Sequence, residues 1–109
     1  VEKAQSALEK EEITKEKQIL NGFFTSLARD REKVSYGETA VRKALAVGAA
    51  DKILISEDFA EENPETVAEF KIKAREISAE VIFVSIQTDE GRSFKNIGGV
   101  GAFLRFAVH

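Results

Sequence analysis

The chain has no cysteine, no methionine and no tryptophan; it has one proline (Pro64), one tyrosine (Tyr36) and one histidine, His109, its last residue. Without cysteine there is neither a disulfide framework nor a thiolate metal site. With a single terminal histidine and no thiol, no Ser/His/Asp or Cys/His nucleophile set can be assembled, which excludes hydrolases of those types. No stretch approaches the roughly 18 consecutive apolar residues of a membrane-spanning helix. Excess positive charge is missing as well: 16 basic against 19 acidic residues leave a net charge of -3. Affinity for nucleic acid rests on phosphate neutralisation, so a dedicated nucleic-acid surface is not expected. Protein partners are the better default.

What is present fits one domain. The 109 residues are 43% hydrophobic, enough for a single core. The chain opens at Val1 on a charged, helix-forming stretch, which reads as a piece of a longer protein. Residues 1–12 read as a solvated lead-in from a preceding domain, and residues 13–109 as a single C-terminal α/β domain in the cytoplasm. Its end, directly after a strand, reads as native.

Hydrophobic spacing supplies the elements. Residues 1–30 predict a long amphipathic helix with Ile13, Leu20, Phe24 and Leu27 on its stripe, Ile19 and Phe23 widening it, and Gly22 as a weak point. Val34-Ser35-Tyr36 reads as a short strand. Gly37 starts a second helix whose face is Val41, Ala44, Leu45 and Gly48, the last glycine stopping it. Asp51 to Ser56 and Val81 to Val84 read as strands buried on both faces, the first ended by Glu57-Asp58-Phe59. Between them Asn63, as N-cap, and Pro64 begin a helix through Val67, Phe70, Ala74 and Ile77. Thr88 starts a short helix with Asp89 and Glu90 in its first turn, and Gly98-Gly99-Val100-Gly101 leads into a last strand, Ala102 to Val108. This alternation predicts a three-layer α/β/α sandwich on a small, mixed, four-stranded sheet.

Candidate chemistry is sparse. The acidic pairs Glu57-Asp58, Glu61-Glu62 and Asp89-Glu90 lack the alternating spacing of a calcium loop and read as solvated faces. The glycine cluster lacks both the Gly-Lys-Ser/Thr ending and the following helix of a phosphate loop. Arg105 stands out within an apolar strand: it either meets a carboxylate inside the domain or lies on a face offered to a partner. Tyr36 reads as a core ring with its hydroxyl at the surface, though tyrosine and arginine are also interface residues. No metal site, cofactor or catalytic residue is expected.

Several segments, in order, carry a resemblance. Tyr36-Gly37, Val41-Arg42-Lys43-Ala44-Leu45, Gly48-Ala49-Ala50, Ile53-Leu54-Ile55-Ser56-Glu57, Asp89-Glu90-Gly91 and Gly98 through Phe106 together resemble the C-terminal domain shared by archaeal and eukaryotic class-1 peptide chain release factors and Pelota. The match runs from Ile19 to Val108. Release factors of this kind usually carry an inserted minidomain after the strand ending near Ser56, whereas about ten residues separate Glu57 from Val67 here. That spacing, the six residues between Gly91 and Gly98, and the ending Leu104-Arg105-Phe106 are similar to Pelota. Thr88-Asp89-Glu90-Gly91 is closer to the release-factor version.

The resemblance implies a fold like that of the kink-turn-binding ribosomal proteins. It also implies a non-catalytic docking role in ribosome rescue and mRNA surveillance, with an elongation-factor-like translational GTPase and a ribosome-recycling ATPase as partners and the ribosome reached through the full-length protein. By the same resemblance, partner contact falls on Phe23, Tyr36, Gly98, Gly99, Gly101, Leu104, Arg105 and Phe106. Translation termination is the alternative, and kink-turn RNA binding a more distant one, opposed by the net charge.

Overall fold

Ile53, Leu54 and Ile55 are all fully buried, and the strand that carries them organises the fold. The computed structural model describes the backbone of residues 2–106 and the side chains of residues 15–106. In chain order the elements are α1 (Glu2–Arg29), a 3-10 turn (Arg31–Lys33), β1 (Val34–Tyr36), α2 (Glu38–Ala46), β2 (Ala50–Ser56), α3 (Glu57–Glu62), α4 (Pro64–Glu76), β3 (Glu80–Val84), α5 (Asp89–Asn96) and β4 (Val100–Leu104). The four strands form one sheet in the order β1-β4-β2-β3. β4 is antiparallel to both neighbours, and β3 is parallel to β2.

Side chains alternate across the sheet and so feed two cores. On one face, Leu54 and Val84 pack with Val34, with Leu20 and Phe23 of α1, and with Phe94 of α5. On the other, Ile53, Ile55, Val100 and Ala102 meet Val41, Ala44 and Leu45 of α2 and Val67, Phe70 and Ala74 of α4. The architecture is therefore the expected α/β/α sandwich on a mixed four-stranded sheet. Small residues on α2 let that helix approach the sheet closely.

The structure departs from the sequence reading in four places. Glu57-Asp58-Phe59 does not merely end β2 but begins α3. Asn63 precedes Pro64 as expected, yet its side chain caps nothing on α4: its amide donates back to the Phe59 carbonyl at 3.2 Å. β3 is an edge strand with Phe83 41% exposed, not a strand buried on both faces. β4 begins and ends earlier than expected, so Arg105 and Phe106 fall in a bend beyond it, and residues 107–109 lie outside those described. As expected, α1 is one long helix, and it runs unbroken through Gly22. The Ile13 side chain lies outside those described.

Candidate docking surface at the ends of strand β4

β4 is the strand that β1 and β2 enclose, and the nominated residues are strung along it and beside it. At its start, Gly98 and Gly99 turn the chain out of α5 with φ of +126° and +76°, a region L side chains rarely adopt. The turn is tied down twice: Ser56 N–H donates to the Gly99 carbonyl at 2.7 Å, and Gly37 N–H to the Val100 carbonyl at 2.9 Å. Gly101 follows on the face of the aromatic core, where a β-carbon would meet Phe23 Cζ at 2.7 Å. The glycine cluster is thus used by the fold itself. Tyr36, paired with Gly101 across the β1–β4 ladder, is 40% exposed.

Phe23 has no exposed surface to offer a partner. Its ring sits edge-to-face against Phe94, Phe103 and Phe24, with centroids 5.5, 5.7 and 5.8 Å away. Such packing adds to the burial term, so this side chain secures α1 to the sheet.

At the far end of β4, Leu104 is half-buried, and Arg105, although exposed, is bonded to its own domain. Its Nη2 donates to the carbonyls of Ile77 and Ser78, at 2.9 and 3.1 Å, which closes the C-terminal end of α4. Its Nε lies 3.6 Å from Asp51 Oδ1. Asp51 reaches it because the β2–β4 register slips there: Ala50 faces Leu104 and Lys52 faces Phe103, leaving Asp51 as the bulged residue. The carboxylate within the domain that one reading of Arg105 called for is present, and the side chain stays exposed beside it. Phe106, beside it, is 54% exposed and lines a cleft of about 330 Å³ with Asp30 and Lys33.

The exposed nominees therefore form two groups. Tyr36 and Gly98 lie at one end of β4, Arg105 and Phe106 at the other. Gly101 and Arg105 are four residues apart, which is about 13 Å along a strand.

Two ion pairs between helices escaped the sequence reading. Lys95 Nζ of α5 meets Asp58 Oδ2 of α3 at 2.6 Å, and this hydrogen bond raises the lysine pKa above its ordinary value. Arg42 joins Glu38 and Glu69, both at 3.1 Å, coupling α2 to α4. The Glu38–Arg42 and Glu69–Lys73 spacings of four were legible, but the contact between helices had no local signal. Among the described residues no group of three or more acidic, histidine or cysteine side chains is placed to hold a metal ion.

Comparison with known proteins settles the lineage. The family described as eRF1 domain 3 matches residues 13–108. The chain belongs to that family. Peptide chain release factor subunit 1 of Thermococcus onnurineus is 34% identical over 152 aligned residues, covering 99% of this chain and 37% of that protein. The Pelota homologue of Methanococcus vannielii is 30% identical over 96 residues, covering 88% and 27%. Among solved structures, the C-terminal domain of a peptide chain release factor from Methanosarcina mazei superposes with a TM-score of 0.85 at 27% identity, covering 96% of this chain and 90% of that one. A ribosome-bound archaeal Pelota, in a structure with ABCE1, gives 0.82 at 29% identity, covering 97% and 30%. The chain thus spans about a third of the length of the curated relatives it matches. As an eRF1 domain 3 it is a translation-factor domain of the release factor and Pelota lineage.

Proposed function

We propose that this domain is the non-catalytic docking module of a cytoplasmic ribosome-rescue factor of the Pelota kind, binding an elongation-factor-like GTPase and, at another stage, a ribosome-recycling ATPase. The observation that carries the reading is the pair of exposed aromatic side chains, Tyr36 and Phe106, held at the two ends of a strand whose backbone is fixed on both sides. Aromatic side chains on a rigid support are the usual energetic anchors of protein interfaces. The relatives lend support: the 29%-identical Pelota is seen on the ribosome with ABCE1. S. cerevisiae Dom34, which has the same fold at 20% identity, is described as interacting with Hbs1. The Methanococcus Pelota aligns over 96 residues, whereas the Thermococcus release factor needs 152, of which at least 43 (152 less the chain's 109) have no counterpart here.

Titration of this chain against the elongation-factor-like GTPase of the same organism tests the site. Tyr36→Ala and Phe106→Ala are each expected to weaken binding with the circular dichroism spectrum intact. Unchanged affinity in both variants would remove the assignment.

A second reading, the C-terminal domain of a class-1 release factor, is favoured by one observation. The Methanosarcina release-factor domain is 90% covered by this chain, so that domain has the same compact form. A stop-codon-dependent peptidyl-tRNA hydrolysis assay of the full-length protein separates the two: hydrolysis supports the release factor, and its absence with splitting of stalled ribosomes supports the rescue factor.

A further inference from the structure

β3 closes the sheet on the side away from β1, so its outer row of N–H and C=O groups faces no strand among the described residues. Its five residues carry no proline and pair with β2 in unbroken register, so neither a proline nor a bulge blunts this edge, and Glu80 is its one charged residue. Just past the strand, the Ser85 N–H is taken by the Glu16 carboxylate of α1, whose other oxygen accepts from Ser85 Oγ at 3.3 Å. The open edge is thus Glu80–Val84, with a defined stop.

The two sides of this edge carry opposite charge. Towards α4, a groove of about 570 Å³ runs over Val81 and Phe83 and is walled by Lys71 and Arg75, with Glu80 the one carboxylate in its lining. Lys71 Nζ lies 5.0 Å over the Phe83 ring. Among the described residues neither cation forms an ion pair. Towards α1, a groove of about 760 Å³ passes Ile82 and is bordered by Glu16, Glu57 and Glu80, with Lys15 the one cation in its lining.

We infer that this edge receives an extended segment of another protein as a fifth strand, its side chains alternating acidic towards α4 and basic towards α1. A strand presents successive side chains to opposite faces, so a peptide of alternating charge satisfies both walls while its backbone pairs with β3. A second copy of this chain is the poorer occupant. Antiparallel pairing of two β3 edges about a two-fold axis normal to the sheet keeps like faces together, setting Lys71 and Arg75 against their own images and the three glutamates against theirs. The surface lies at the edge opposite Tyr36, so it stands or falls independently of the GTPase reading.

The test is an amide-resolved NMR titration of the 109-residue chain with the blocked octapeptide Thr-Glu-Lys-Val-Ile-Glu-Lys-Thr, compared with Glu-Glu-Thr-Val-Ile-Thr-Lys-Lys of the same composition. Shifts confined to the amides of residues 80–85, weaker binding of the second peptide, and about tenfold weaker binding of the first by a Lys71→Glu, Arg75→Glu double variant are expected. Both substituted positions are exposed, and a dispersed spectrum of the variant verifies its fold. Unperturbed amides at 80–85, equal binding by the double variant or by the second peptide, or a dimer joined through β3 in the absence of peptide would each overturn the proposal.

Discussion

Gly101 on β4 lies directly beneath the ring of Phe23 on α1, so close that a methyl group on the glycine would stand 2.7 Å from Phe23 Cζ and 2.9 Å from Cε1. The ring cannot retreat, because Phe94 and Phe103 hold it edge-on from two sides. Gly101→Ala is expected to destabilise the domain by ~1–3 kcal/mol, the usual penalty for overpacking, read as a lower denaturant midpoint.

A harsher clash awaits at Gly91 in the first turn of α5. A β-carbon there would fall 1.9 Å from the Ser85 carbonyl oxygen, which is backbone and has no rotamer to change. Gly91→Ala should therefore exceed the Gly101→Ala loss. Gly22, with nothing within 4 Å of its would-be β-carbon, provides the opposite sign: Gly22→Ala should stabilise by about 0.5–1 kcal/mol through helix propensity. Equilibrium denaturation of the three variants checks the order.

Thr88 accepts the buried Gly91 N–H at 2.9 Å and so caps α5. Thr88→Ala removes that acceptor and is expected to lower stability by ~1–2 kcal/mol, with Thr88→Ser restoring most of it. Thermal melts of the pair provide the comparison.

Arg105 contributes to folding as well as to surface charge. Loss of its bonds to Ile77 and Ser78 and of its ion pair to Asp51 should reduce stability by about 1 kcal/mol in Arg105→Ala, the ion pair being solvent-exposed. A fall in partner affinity for this variant that persists after correction for the folded fraction is the signature of docking. A fall that disappears on correction is structural.

The Arg42–Glu69–Lys73 cluster sets an acid dependence. Hydrogen bonds from Arg42 and then Lys73 hold the Glu69 carboxyl below its ordinary value of 4.5. A depressed carboxyl pKa contributes stability that is present above 4.5 and lost as pH falls through the lower, folded value. The stability gap between the parent protein and Glu69→Gln should therefore be largest near neutral pH and close on acidification below 4.5. Added salt should narrow it as well, since the groups are solvent-accessible.

Local periodicity and punctuation determined most of the elements: the α1 stripe at Leu20 and Phe23, the Pro64 start of α4, the Thr88 cap of α5 and the apolar middle of β2. These depend on neighbours within one or two turns, which is why they are legible in a string of residues. The ordered motifs from Tyr36 to Phe106 likewise carried the family. The placement of the nominated residues did not follow from the string. Phe23 and Tyr36 are both aromatic residues beside the glycine strand, yet one is enclosed by three rings and the other is open to solvent. That difference arises from strand order, which sets β1 at an edge and α1 across the sheet. Arg105 drew attention as a lone cation in an apolar run, but its partners Asp51, Ile77 and Ser78 are brought to it by a bulge and a helix end distant in sequence. Val81 to Val84 read as a buried strand and became an exposed edge for the same reason: composition sets how apolar a segment is, and only the packing of the other strands decides how many of its sides are covered.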